Sequence, residues 1–444
     1  MPSSVYIQAE AISSAPQNIQ TFDEFSSFYS DNILKDNFGA AILTTVGSPN
    51  HQSFCPDIHQ GAMGLSQGES LVYFPDIVKE AVPEAFPASI VIAPSATDTL
   101  VDGSLKTKGD FSSFPNYAFG YLNKLTVDAI NASQESVDIA IYSITLREIP
   151  EAILKARDRG VKIRMILDQF HVYPRMSPQI KQLVNAGIEI RTLRGTRDYG
   201  VMHNKIDIFD EEMVTTGSYN WTFSATFYNH ENMLIARHPI YTDGYIEYWN
   251  WMWKHARTLE QGEQNILPEG YFGVPPQDEK PIMTLNGLEV PSYIFSPGSN
   301  SEERLAKIIG AAKKTVDAVT FTFSSKILAD AVIDAKNRGV KVRFMIDSDM
   351  GKGSWAAKYV YENGVEIKWR KGRTSKGAMH NKYMILDGKI LQTGSFNWSV
   401  NADINSFENM IFVNDLSSVK AYQYKFDSFY SEAITPNPGD FQED

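Results

Sequence analysis

Two sets of chemically capable residues recur in this 444-residue chain. His203 and Lys205 are separated by one residue, as are His380 and Lys382, so on an extended strand both side chains project from one face. An imidazole and an ammonium then address the same anion. Ser218 and Asn220, matched by Ser395 and Asn397, alternate in the same way and add neutral donors for the oxygens of a substrate phosphate. Glu231 and Glu408 follow at a fixed distance and suit the second ring nitrogen of an imidazole, where a carboxylate fixes the tautomer and raises basicity. A histidine, a lysine, donors and an acid, all doubled, describe a phosphate site with one nucleophile and one proton donor. Nothing in the spacing says whether each glutamate serves the histidine of its own repeat or the opposite one.

A lone His-x-Lys is incidental in most proteins, and it is the duplication that changes its weight. Core packing explains the repeated Ile, Leu, Met and Trp, and hairpin turns explain Gly217 and Gly394. Packing does not ask for His, Lys, Ser, Asn and Glu at matching places in both copies. Asp210 and Asp387 read as structural, because a carboxylate beside a hairpin turn accepts backbone donors.

The elements that position these residues are themselves repeated. HNKIDIFDEEMVTTGSYNWTFS from His203 aligns without gaps to HNKYMILDGKILQTGSFNWSVN from His380, with 10 of 22 positions identical. Upstream, AILKARDRGVKIRMILD from Ala152 aligns with AVIDAKNRGVKVRFMID from Ala331. In each copy a β-branched run (SVDIAIYSI or TVDAVTFTF) precedes a helical pattern ending at Gly160 or Gly339, then a strand to Asp168 or Asp347. A second helix ends near Gly187 or Gly364, a strand follows, and a polar loop leads to the His-bearing hairpin around Asp210 or Asp387. Each repeat is therefore an α/β layer with a mixed sheet. The expected domains are an N-terminal segment of unknown role at 1–115, a first repeat at 116–257, an irregular Pro/Gly-rich connection at 258–292 and a second repeat at 293–444.

A composition 43% hydrophobic and 21% charged belongs to a globular chain with a substantial core. No run of some 18 uncharged apolar residues is present, and the N-terminus shows no signal peptide, though one removed earlier would leave export open. The single cysteine, Cys55, rules out an intramolecular disulfide, and no cysteine-rich metal site is visible. The net charge of −12 opposes a polyanionic partner, yet it is unevenly spread. Residues 1–110 carry 13 acids and 4 bases, whereas Arg147 to Lys205 carries 12 bases and 6 acids, and Arg304 to Lys382 carries 17 and 7.

On these residues the chain resembles the phospholipase D superfamily, whose mark is H-x-K-x4-D followed, after six residues, by G-S-x-N. Both copies are complete: His203, Lys205, Asp210, Gly217, Ser218 and Asn220, then His380, Lys382, Asp387, Gly394, Ser395 and Asn397. The strings GSYNW and GSFNW are most similar to the branch holding bacterial nucleases and the mitochondrial cardiolipin hydrolase. The resemblance implies two α/β sandwiches with mixed sheets about a pseudo-two-fold axis and one shared active site. It also implies phosphodiester cleavage through a phosphohistidine with no metal or cofactor, and Asp210 and Asp387 away from the reacting phosphorus. Two-motif members make His203 the nucleophile and His380 the acid. With both halves on one chain, a monomer suffices and no stable partner is required.

The expected function is thus a metal-independent phosphodiesterase. Nucleic acid is the leading substrate, from the basic residues Arg191, Arg194, Arg197, Lys368, Arg370, Lys371, Arg373 and Lys376 just ahead of each histidine. The alternative is membrane phospholipid, from the acidic overall charge and the apolar loop FHVYPRM after Asp168. An inactive phosphate-binding module is disfavoured because neither motif is degraded. The residues do not settle localisation.

Overall fold

The computed structural model of the chain describes residues 108–442; Cys55 and nearly all of the acidic N-terminal stretch lie outside the described residues. The first repeat runs β1 (Tyr117–Ala118), α1 (Leu122–Ala132), β2 (Ser136–Ile141), α2 (Glu148–Asp158), β3 (Lys162–Asp168), α3 (Gln169–Val172), α4 (Pro178–Asn185), β4 (Glu189–Leu193), β5 (Lys205–Phe209), β6 (Met213–Gly217), α5 (Phe223–Phe227), β7 (Met233–Ala236), α6 (Pro239–His255) and β8 (Arg257–Thr258). Its sheet has the order β1-β7-β6-β5-β2-β3-β4-β8, with β2, β3 and β4 parallel to one another and the remaining pairs antiparallel. α2 stops because Gly160 takes φ +90, a conformation that costs a side-chain-bearing residue dearly, and Gly339 at φ +87 does the same in the second repeat.

A hairpin, β9 (Met283–Leu285) and β10 (Leu288–Val290), precedes the second repeat. This departs from the irregular connection expected at 258–292. Asn286 and Gly287 both take positive φ in a tight turn between apolar residues, and Met283, Leu285 and Val290 enter the core of the second repeat. That repeat continues β11 (Tyr293–Ser296), α7 (Ser301–Gly310), β12 (Thr315–Thr320), α8 (Lys326–Asn337), β13 (Lys341–Asp347), α9 (Ser348–Lys352), α10 (Trp355–Glu362), β14 (Glu366–Arg370), β15 (Tyr383–Leu386), β16 (Ile390–Gly394), α11 (Val400–Ile404), β17 (Glu408–Val413) and α12 (Leu416–Glu432). Its seven-stranded sheet order, β11-β17-β16-β15-β12-β13-β14, repeats that of the first from β1 to β4, without a counterpart of the edge strand β8.

Two mixed sheets of similar size result, each covered on its outer face by helices: α1, α2 and α4 on one, α7, α8 and α10 on the other. Between the sheets lies a common core built from both repeats. Tyr245, Tyr248, Trp249 and Met252 of α6 meet Tyr383 and Ile385 of β15 and Tyr422 and Phe426 of α12 there. One part-buried ion pair per repeat ties a long helix to its sheet. Arg164 pairs with Asp138 (2.7 Å) and lies 4.4 Å from the Trp249 ring; Arg343 pairs with Asp317 (2.6 Å) and lies 4.9 Å from Phe426.

Gly217 and Gly394 do not form hairpin turns. Those turns fall at Asp210–Glu211 and Asp387–Gly388, where both central residues have positive φ. The two glycines end β6 and β16, where a Cβ would lie 2.2 Å from the carbonyl oxygens of Asn232 and Asn409, so only glycine permits this approach.

Candidate active site

Each His-Lys pair enters its strand from a loop that docks on the opposite repeat. The loop before His203 is held by Thr196, whose N–H donates to the Asn405 carbonyl (2.8 Å), and the loop before His380 by Arg373, whose N–H donates to the Tyr228 carbonyl (2.7 Å). Parallel bridges join Met202 to Phe407 and Met379 to His230. The N–H of His203 donates to the Phe407 carbonyl (3.0 Å) and that of His380 to the His230 carbonyl (3.1 Å). The residue after Phe407 is Glu408, and the residue after His230 is Glu231. Backbone pairing therefore brings each histidine beside the glutamate of the other repeat.

The side chains complete this exchange. His203 Nδ1 lies 2.8 Å from Glu408 Oε1, and His380 Nδ1 lies 3.0 Å from Glu231 Oε2, all four groups being buried. Lys205 and Lys382 each donate to the carbonyl of their own motif's histidine, at 2.7 and 2.8 Å. Asn220 and Asn397 are buried as well, and the Asn397 amide makes no hydrogen bond among the described residues. A buried amide of this kind calls for a ligand oxygen.

The two serines are engaged differently from the donors expected for a phosphate. The Ser218 hydroxyl donates to Glu231 and accepts the Asn232 N–H (3.0 Å), while Ser395 Oγ accepts from the N–H and Nδ2 of Asn409 (3.1 and 3.2 Å). They brace the acid-bearing strands. Asp210 accepts four backbone N–H groups, from Gly109, Gln134, Glu135 and Ser136, each at 2.8 Å. Asp387 accepts the N–H groups of Lys313, Lys314 and Thr315 together with Asn286 Nδ2 (2.6 Å). Burial raises its pKa, but these donors outweigh it and hold the carboxyl below the usual range. Both aspartates tie the hairpin tip to the start of a neighbouring strand, away from the histidines.

Sequence reasoning passed over two further pairs. Tyr142 and Phe321 follow β2 and β12; their rings meet those of His203 and His380 edge-on at 4.8 and 5.0 Å, and lie 5.1 and 5.3 Å from the Lys205 and Lys382 ammoniums. Their alignment in the paired strings around SVDIAIYSI and TVDAVTFTF was the available signal. Asn232 and Asn409, adjacent to the glutamates, bond across the repeats, Asn232 to Thr393 (2.7 Å) and Asn409 to Asn204 (2.8 Å).

The basic residues ahead of each histidine are largely engaged by other groups of the protein. Arg191 stacks on Trp253 at 4.1 Å, buried Arg194 donates to the Arg197 carbonyl (2.8 Å), and Arg197 pairs with Glu269. Lys368 donates to the Tyr430 carbonyl (3.0 Å), Arg370 pairs with Glu432 (2.7 Å) and Lys371 with Asp349 (3.1 Å). Arg373 donates to the carbonyls of Phe119 and Thr226, leaving Lys376 exposed on the loop. In the loop FHVYPRM, Val172 is buried and the Tyr173 hydroxyl donates to the Leu259 carbonyl (3.2 Å), while Pro174 and Arg175 are exposed. Exposed aromatic side chains lie elsewhere. Phe223 and Phe227, half exposed with ring centroids 4.6 Å apart, follow Asn220 on α5, and the Thr226 carbonyl between them accepts from Arg373.

A family model described as "Cardiolipin synthase, PLD-like domain" matches this chain twice, at residues 126–253 and 305–430, together more than half its length. The chain belongs to the phospholipase D superfamily. It is 35% identical over 130 residues to a mitochondrial cardiolipin hydrolase of Xenopus tropicalis, a match covering 29% of this chain and 60% of the relative. It is 31% identical over 135 residues to a phospholipase D of Rickettsia bellii, covering 30% and 64%. Each match thus spans less than two thirds of the relative's length. The two-repeat fold is similar to the crystal structure of a phosphatidylserine synthase of Haemophilus influenzae, with TM-score 0.55, 11% identity and coverage of 74% of this chain and 89% of that one. Among the described residues no helix is long and apolar enough to cross a membrane, and no group of three or more His, Cys, Asp or Glu side chains is disposed to hold a metal ion.

Proposed function

We propose that the chain is a phosphodiesterase working through a phosphohistidine. The crossed pairs His203–Glu408 and His380–Glu231 carry this reading, because they give two imidazoles the same orientation and leave Nε2 of each as the reacting nitrogen. His203 Nε2 attacks phosphorus, the bond to the leaving oxygen breaks, and that oxygen takes a proton from His380 Nε2. His380 then removes a proton from water, whose oxygen displaces His203 and releases the phosphate product. Lys205, Lys382, Asn220 and Asn397 bind the non-bridging oxygens and stabilise the charge that builds in each transition state. Ser218 and Ser395 support the glutamate strands. No step calls for a metal, so turnover is expected to persist in EDTA.

Of the two substrate classes, phospholipid is the better supported. The cations that suggested nucleic acid are largely neutralised or held by protein groups, Arg373 among them, whereas Phe223 and Phe227 form an exposed aromatic pair after Asn220. Phenylalanine has no polar group to satisfy in water and suits the acyl boundary. Relatives named cardiolipin hydrolase and phospholipase D agree with it. The test compares anionic phospholipid vesicles, plasmid DNA, single-stranded DNA and RNA, all in EDTA. Lipid hydrolysis with intact nucleic acid supports the reading, and nucleic acid cleavage with intact vesicles returns the substrate to an endonuclease.

A further inference from the structure

Beyond the histidines and glutamates, each repeat buries one more acid against the His-bearing segment. Asp168, at the end of β3, has no exposed surface; its Oδ2 accepts the N–H of Met202 at 2.8 Å and its Oδ1 that of Phe170 at 2.9 Å. Asp347, at the end of β13, is almost as enclosed. Its Oδ2 accepts the N–H of Met379 at 2.9 Å, and its Oδ1 those of Asp349 and Met350 at 2.9 and 3.2 Å. Met202 and Met379 immediately precede His203 and His380, and they are the residues bridged to Phe407 and His230 of the opposite repeat. Each aspartate therefore grips the peptide entering a histidine on one side, while the strand delivering that histidine's glutamate holds it on the other.

We propose that Asp168 and Asp347 are positioning residues, one per histidine, that hold the incoming peptide in the register at which Nδ1 meets the opposite repeat's glutamate.

Each acid also caps the short helix that follows it, α3 or α9, but the cap uses Oδ1 alone; Oδ2 is taken up by the peptide entering the histidine. Retention of such a group at the same place in both repeats, despite its desolvation cost, matches a geometric demand. Burial pushes Asp168 up to about 7, opposed by the Met202 and Phe170 amides and by Arg194 and His203. Asp347 is pushed up to about 6, opposed by the amides of Met379, Met350 and Asp349 but reinforced by the Asp349 carboxylate. Those are the charged groups facing the two acids, and Lys371 pairs with Asp349 rather than with Asp347. Asparagine cannot replace either acid, because its single acceptor oxygen serves one N–H direction while its NH2 group confronts the other.

This inference rests on the two-histidine mechanism. The test uses the full chain with bis(p-nitrophenyl) phosphate, comparing wild type, Asp168→Asn and Asp347→Asn, with melting temperature measured for each. The expected result is a fall in kcat of about tenfold to a hundredfold per folded molecule with KM within about twofold, because the lysines and asparagines still bind phosphate. The pH–rate limb of the affected histidine should move as well, which a merely structural loss would not do. Wild-type kcat and an unchanged pH profile in both folded variants would overturn the proposal, as would failure of both to fold, which would assign the acids to stability alone. If wild type itself fails to hydrolyse any diester, the fault lies with the reaction assigned under the proposed function.

Discussion

At the scale of single residues, the crossed pairing makes a directional prediction. Glu408 faces His203, which must be unprotonated to attack, and Glu231 faces His380, which must be protonated to serve the leaving group. Removing a carboxylate lowers the basicity of its imidazole. Glu408→Gln should therefore shift the acidic limb of the kcat/KM profile to lower pH, and Glu231→Gln the alkaline limb, also to lower pH. If each glutamate served its own repeat, the two variants would exchange limbs. His203→Ala and His380→Ala should each reduce turnover of a poor-leaving-group diester by at least about a thousandfold, with the rate unaffected by EDTA.

At the scale of elements, the β5–β6 and β15–β16 hairpins show which features are needed and which are incidental. Gly217→Ala places a methyl 2.2 Å from the Asn232 carbonyl, next to Glu231, and should lower the melting temperature by several kelvin and cut activity. Asp207 on β5 is buried and accepts from the Thr215 hydroxyl, its one side-chain partner among the described residues, and burial pushes it from the ordinary 3.8 up to about 7. The folded state thus holds a proton that the unfolded chain releases, so stability falls as pH rises between those values. The second repeat carries Met384 at the aligned position, which shows that the strand has no need of the acid. Asp207→Asn should raise the melting temperature at about pH 8 and leave it nearly unchanged at about pH 4. The strands, the glycine-terminated helices and the His hairpins were legible because period and punctuation are local. The glutamate pairing was not, since it depends on partners 205 and 149 residues apart, with no local pattern to reveal it. The loops' surroundings were hidden for a related reason: charge counts cannot show that Arg370 faces Glu432 or that Val172 is packed inside.

At the scale of the whole molecule, each repeat lends a glutamate to the histidine of the other. If the aromatic patch docks on lipid, Phe223→Ser with Phe227→Ser should reduce vesicle hydrolysis at least about tenfold while bis(p-nitrophenyl) phosphate turnover stays within about twofold. Equal losses on both substrates would remove the patch from docking. The most direct measurement of the central claim is the covalent state of His380→Ala after acid-free quenching during reaction with bis(p-nitrophenyl) phosphate, read by mass spectrometry. A good leaving group needs little help from an acid, whereas hydrolysis of the intermediate does need the missing base, so the intermediate should accumulate. The account predicts one phosphoryl adduct per chain, on His203, with a matching burst of about one p-nitrophenol per chain. Absence of any phosphohistidine from this variant and from His203→Ala, with wild type active on the same diester, would contradict it.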